Sequence, residues 1–236
     1  MDIYLVGGAV RDKLLGQNPT DLDYVVVGAT EEEMEKEGFK KVGKAFPVFI
    51  HPKTRSEYAL ARKEVKKGKG HKAFTFEFAP TVSLEEDLIR RDLTINAMAM
   101  DENSKEIIDP FNGQKDLQTK TLKHVSPHFV EDPLRVLRVA RFHARFPDFS
   151  IDPSTLELMK NITNSGELKT LSSERILEEL SKAFLALKPS LFFEALHKCN
   201  ALKELFPSIE TLKSSKNNML KISDWEYSFQ ILDLAK

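Results

Sequence analysis

The apolar rhythm changes character along the chain. Up to about residue 110 the apolar residues come in short β-branched and aromatic runs. Ile3–Val6, Tyr24–Val27, Lys41–Phe46, Val48–His51 and Glu57–Arg62 read as strands, separated by glycine, proline and polar clusters. Between the first two, Ala9–Leu15 has the spacing of one short helix ending at Gly16. Thr30 with Glu33 and Ser83 with Glu86 are capping boxes that open an acidic helix ended by Gly38 and a helix over Leu84–Arg90. Thr94–Met100 and Lys105–Ile108, joined by DENS, predict a hairpin, and Asp109–Gly113 a turn. From Glu131 the period becomes helical. Asp132 then Pro133 is an N-cap followed by a first-turn proline, opening a helix over Pro133–Arg145. A second helix starts at Ser173, with Ile176, Leu177, Leu180, Ala183, Phe184 and Leu187 expected as a buried stripe. Pro189–Phe206 predicts one or two further packed helices. The fold class expected is α+β: a small mixed sheet with helices over residues 1–130, then an all-α part over 131–210.

The stretch Leu5–Val27, LVGGAVRDKLLGQNPTDLDYVVV, organises the rest. It reads as strand, glycine turn, helix, loop, strand. Gly7 and Gly8 fall where backbone N–H groups can meet a phosphate, and Arg11, one turn in, can add a fork of donors. Asp21 and Asp23 leave the same face of the second strand with Cα atoms about 6.5–7 Å apart. Carboxylates so placed suit hard cations such as Mg2+, which needs only one or two of them plus phosphates. A glycine pair alone is usually a tight turn, and D-x-D alone occurs by chance. Their joint presence in one supersecondary unit points to nucleotide chemistry.

GGAVRDKLLG followed by DLD resembles the signature of the polymerase-β-like nucleotidyltransferases, in the class II branch of tRNA CCA-adding enzymes and bacterial poly(A) polymerases. The resemblance continues through RRDLTINAMA, DPFNGQKDL, EDPLRVLRVARF and SERILEEL, in the family's order over about the first 210 residues. It is nearest to the bacterial multifunctional branch. It implies a polymerase-β-like head and a helical neck with partial body. It also implies template-free addition of C, C and A to tRNA from CTP and ATP, with Mg2+ held by Asp21 and Asp23. Glu57 matches the position of a third acidic group that can orient or deprotonate the attacking hydroxyl, although a glutamate opening a strand is as often solvent-facing. Gly8, Arg11 and Arg91 match triphosphate-binding positions, and Asp92 and Asn96 the sugar-side pocket. Asp109–Gly113 matches a hinge between head and neck. Val65–Phe78 matches a flexible loop used for the final adenosine.

In the EDxxR motif, Asp132 only accepts and Arg135 only donates. That pair fits the amine-plus-ring-nitrogen edge shared by cytosine and adenine and rejects uracil and guanine. Arg138 and Arg141 continue along the helix and match nucleotide-binding positions. Glu174, Arg175 and Glu178 match a motif that braces the base-reading helix. Beyond about Thr211 the resemblance fades, so 211–236 is read as a divergent or truncated segment without the HD domain or tail of relatives. The rival readings are a poly(A) polymerase, disfavoured by VGKAFPVFIHP in place of a basic stretch, and a catalytically idle RNA-binding fragment.

Composition changes this picture little. The 236 residues are 41% apolar and 30% charged, enough for a sizeable core. No apolar run approaches membrane-spanning length, and no leader pattern is visible, so a cytoplasmic protein without membrane contact is expected. The one cysteine, Cys199, lies in an apolar helical pattern and is expected to be a buried small hydrophobe. A net charge of −1 argues weakly against RNA, yet the charge is patched. Glu31–Glu37 is acidic, Arg62–Lys72 is basic, and Arg135, Arg138, Arg141 and Arg145 recur at helical spacing.

Overall fold

A computed structural model describes residues 1–43, 47–66, 74–217 and 222–235. The chain divides into two units, Met1–Gln118 and Thr119–Lys236.

The first unit is built on a sheet whose strands run, edge to edge, β3 (Lys40–Val42), β4 (Val48–Ile50), β5 (Glu57–Leu60), β2 (Asp23–Val27), β1 (Asp2–Val6), β8 (Ala99–Asp101) and β9 (Ile107–Ile108). Only β2 and β5 are parallel; the other neighbours are antiparallel, so the sheet is mixed. Alternation along β2 sorts the side chains into two layers. Val26 joins Met34, Phe39, Phe49, Tyr58 and Leu60 on one face, where Tyr24 also stacks on Tyr58 with centroids 4.5 Å apart. Val25 joins Val6, Ala61, Val82, Leu88 and Ala99 on the other. Asp23 shares the face of Val25, because residues two apart in a strand point the same way.

Helices α1 (Gly8–Leu14), α2 (Glu31–Lys36), α3 (Leu84–Leu88) and α4 (Gly113–Gln118) complete this unit. Both expected capping boxes form: Thr30 and Ser83 each accept from the backbone three residues on, and Glu33 and Glu86 reach back. The expected hairpin is corrected in its first half. Thr94–Asn96 is a 3-10 turn, and pairing begins only at Ala99. Asp109–Gly113 is more than a turn, since the Asp109 carboxylate accepts from Gly113 N at 2.7 Å and Gln114 N at 2.9 Å and so starts α4. The stretch read as an irregular loop begins and ends in strands, because β6 (Arg62–Lys66) pairs antiparallel with β7 (Phe74–Phe78). Its lysine–glycine centre lies outside the described residues, as does the end of the strand expected over Lys41–Phe46.

The second unit is helical: α5 (Leu134–Arg145), α6 (Pro153–Asn164), α7 (Ser173–Phe184), α8 (Ser190–Lys198), α9 (Ala201–Leu205), α10 (Pro207–Glu210) and α11 (Asp224–Leu234). Helix α5 packs against α7 and α8, with Val136, Leu137, Val139, Ala140 and Ala144 out of contact with solvent. Cys199 is buried and its thiol is pushed up to about 11, chiefly by burial, so it packs as a small hydrophobe. The C-terminal segment folds back on α8. Phe229 stacks on Phe193 at 5.2 Å, and Asp233 accepts from Ser190 N at 2.9 Å, serving a helix start that has no local side-chain cap.

The expected buried stripe on α7 is corrected. Leu177, Phe184 and Leu187 are 61%, 45% and 66% exposed, and only Ala183 of the stripe is fully buried. The face turned inward instead carries Glu179 and Ala183. Ile176 and Leu180 are half-buried beside Glu179, which pairs with Arg141 of α5, while Leu177 stands on the outward side.

Candidate active site

Gly7 links β1 to α1 with φ 69° and ψ −129°, a conformation that only glycine adopts without strain, and its N–H donates to the Met98 carbonyl at 3.1 Å. The missing side chain is used, because a Cβ there would stand 2.7 Å from Arg91 Nη1. Arg91 follows α3 and is held by Asp87 Oδ2 at 3.3 Å and the Asn96 carbonyl at 3.5 Å. Its Nε is buried without a partner among the described residues.

Asp21 and Asp23 stand at the entry to β2. Burial raises the Asp23 carboxyl above the ordinary carboxylate range, Arg91 pulls it down, and Asp21 raises it. These three charges therefore share one locality. Glu57 is the register partner of Asp23 across the parallel β2–β5 pair, so both side chains leave the same face. Among the described residues, no three His, Cys, Asp or Glu groups converge as a metal cage. The donor set is the aspartate pair with Glu57 alongside.

Three residues expected to face the nucleotide belong to a packed network. Arg11 is 2% exposed, with Nε on Asp12 Oδ1 at 2.8 Å and Nη1 on Asn96 Oδ1. Its fork is thus turned into the protein, which corrects the expectation of an open phosphate clamp. Asn96 Nδ2 donates to Asp92 Oδ1 at 3.0 Å, and Leu93 N donates to the same oxygen at 2.8 Å. Gly8 lies directly over this network, since a Cβ there would meet Arg11 Nη2 at 3.3 Å.

In the second unit a 3-10 turn over Pro127–Glu131 leads into α5 (Leu134–Arg145), with Pro133 already in the helical region. Asp132 still caps it, with Oδ1 accepting from Leu134 N at 3.0 Å, while Oδ2 accepts from Arg175 Nη2 at 2.9 Å. Arg135 does not lie on an open face: it is buried and donates to the His128 carbonyl at 2.6 Å. Arg141 Nε donates to Glu179 Oε2 at 2.6 Å, and Arg141 Cζ lies 4.3 Å from the Phe142 ring centroid. Arg138 reaches the same carboxylate at 3.9 Å and keeps more exposure. Glu179 went unnoticed in the sequence because one glutamate among three in SERILEEL carries no local mark of burial. Asp87 was detectable as the i−4 partner of Arg91.

The family profile described as "Poly A polymerase head domain" matches residues 3–123, and that described as "Probable RNA and SrmB- binding site of polymerase A" matches 148–213. The chain is 60% identical over 214 residues to the Multifunctional CCA protein of Alcanivorax borkumensis, covering 90% of this chain and 52% of that one. It thus spans about half the length of the curated relatives it matches. Among solved structures, the Thermotoga maritima CCA-adding enzyme in complex with tRNA aligns with TM-score 0.70 at 32% identity, over 87% of this chain and 48% of that one. A CCA-adding enzyme in complex with CTP aligns with TM-score 0.70 at 30% identity, over 90% and 51%. Among the described residues no helix is long and apolar enough to cross a membrane.

Proposed function

Because the chain belongs to the Poly A polymerase head-domain family, we propose that it is a nucleotidyltransferase acting on tRNA, adding C, C and A to the 3′ end from CTP and ATP. The observation that carries this reading is Arg91 packed into the space left by Gly7, where its charge acts on Asp23 at the entry to β2. The names of the similar proteins, a CCA-adding enzyme with tRNA and one with CTP, support the choice of substrates.

In this reading the tRNA 3′ hydroxyl attacks the α-phosphate of the nucleotide and pyrophosphate leaves. Arg91, whose guanidinium keeps partial exposure, meets the triphosphate, and the backbone at Gly8 lies beside it. Asp21 and Asp23 would hold Mg2+. A pair of carboxylates fits an ion that keeps phosphate and water ligands. When bound, Mg2+ offsets charge on the reacting phosphates and orients them for in-line displacement. Glu57, on the Asp23 face, orients the attacking hydroxyl. Asp92 and Asn96 shape the sugar side, and Arg11 holds Asn96 in place.

Base choice rests on α5. Asp132 accepts and Arg135, Arg138 and Arg141 donate, with the first two preset by Arg175 and His128 and the last two by Glu179. An arginine clamped on one edge still presents further N–H donors.

The test is to incubate the protein and Mg2+ with a tRNA lacking CCA and each labelled nucleotide in turn. CCA addition gives extension by two residues with CTP and one more with ATP. Extension by ATP alone would point to poly(A) synthesis, and no extension alongside retained RNA binding to an idle RNA-binding fragment.

A further inference from the structure

The DPFNGQKDL segment packs on the turn that carries Asn96. Helix α4 approaches the Thr94–Asn96 turn so closely that a Cβ on Gly113 would collide with the Thr94 carbonyl and stand 2.8 Å from Met98 Cγ. One helical turn on, Asp116 accepts a hydrogen bond from Thr94 Oγ1 at 2.6 Å, with both residues buried. Asp109 fixes the start of α4 by capping it. The turn is thus gripped at two points, by a backbone contact through Gly113 and by a carboxylate through Asp116.

What lies beyond the turn gives the grip its consequence. Asn96 is bonded on one side to Asp92 and on the other to Arg11, and its carbonyl accepts from Arg91. A shift of this turn therefore moves Asn96, Arg11 and Arg91 together. A buried carboxylate is an expensive way to hold a turn unless its acceptor is used, and Thr94 uses it.

We propose that Asp116 is a positioning residue: through its hydrogen bond to Thr94 it sets the Asn96 turn, and with it the sugar and triphosphate side of the nucleotide site. This rests on the nucleotidyltransferase reading above. Asp116 itself touches no substrate.

The experiment titrates CTP in the presence of Mg2+ by calorimetry and records thermal denaturation of each variant. Thr94→Val keeps the volume and removes the donor; Thr94→Ser keeps the donor. Displacements of about 1 Å in a site cost up to about a hundredfold, so Thr94→Val is expected to raise the Kd for CTP by about ten- to a hundredfold, with Thr94→Ser near the parent. Gly113→Ala, whose Cβ would press on the Thr94 carbonyl and push α4 away while leaving the Thr94 and Asp116 side chains unchanged, is expected to weaken CTP in the same way. It decides the matter if Thr94→Val does not fold. A folded Thr94→Val or Gly113→Ala protein that melts earlier but binds CTP like the parent would show a purely structural bond and overturn the proposal. If the parent itself binds no CTP, the nucleotidyltransferase reading fails first, and the two failures are thereby told apart.

Discussion

Gly7 and Arg91 occupy one space: the guanidinium of Arg91 lies where a side chain on Gly7 would be, 2.7 Å from the Cβ position. The residues are far apart in sequence. Nothing local at either requires the other, yet each is explained by the contact.

Gly7→Ala therefore carries a double penalty. Its φ of 69° with ψ of −129° is strained for alanine, at a cost of about 1–3 kcal/mol, and Arg91 must also leave its place. The expected outcome is a lower urea midpoint together with loss of CTP affinity. Arg91→Ala in the Gly7→Ala background should recover part of the stability but none of the affinity. Stability recovered by neither route would mean that the backbone alone sets the cost.

Asp132 has two duties that can be separated. Its Oδ1 caps α5 and its Oδ2 meets Arg175. Asp132→Ala should cost about 1 kcal/mol as a lost cap. If the carboxylate also rejects uracil, discrimination against UTP should fall by about ten- to a hundredfold, at about 1.4 kcal/mol per decade. Asp132→Asn still caps but can present an amide donor. A variant of this kind that rejects UTP as strictly as the parent leaves Asp132 only as a cap.

Glu179 is nearly fully buried between Arg141 and Arg138. Removing one partner of a buried pair costs about 3–5 kcal/mol, because the other charge remains without compensation. Glu179→Ala is expected near that loss and Glu179→Gln well below it, both read by urea denaturation. A change under 1 kcal/mol in Glu179→Ala, on the scale of about 0–1 kcal/mol typical for exposed pairs, would mean that solvent reaches these arginines freely.

His143 provides a pH test. Burial lowers its pKa to about 4, and its Nδ1 has no hydrogen-bond partner among the described residues. The folded state keeps this ring neutral, whereas the unfolded chain takes up a proton near pH 6.5. The stability it permits is full above about pH 6.5 and is lost as the pH falls toward 4, a loss of up to about 3 kcal/mol at about 1.4 kcal/mol per unit. His143→Leu should flatten the stability profile between about pH 7 and pH 4. An unchanged slope would assign the acid sensitivity elsewhere.

Leu177, 61% exposed on α7, separates a core residue from a surface one. Leu177→Ser should change stability by less than about 0.5 kcal/mol as an exposed site, whereas a buried leucine truncated to alanine costs about 2–5 kcal/mol. A large loss on urea denaturation would restore the reading of the α7 stripe as core.

Local chemistry was legible from sequence wherever its cause was local. The capping boxes at Thr30 and Ser83, the glycine turn before α1 and the helical period of α5 all follow from neighbours within a few residues, because backbone hydrogen bonding acts at that range. Five motifs in order were likewise enough to indicate the family and the mixed-sheet head. Tertiary contacts decided the rest. Arg11 turned inward because Asn96, 85 positions away, accepts from it. Leu177 of α7 stands exposed while Glu179 is buried, where it meets Arg141, 38 positions before it. Thr94–Asn96 became a 3-10 turn gripped by α4 instead of a strand. In each case a buried charge or polar group required a partner, and sequence spacing records where a side chain sits on its own helix or strand but not which distant group will satisfy it.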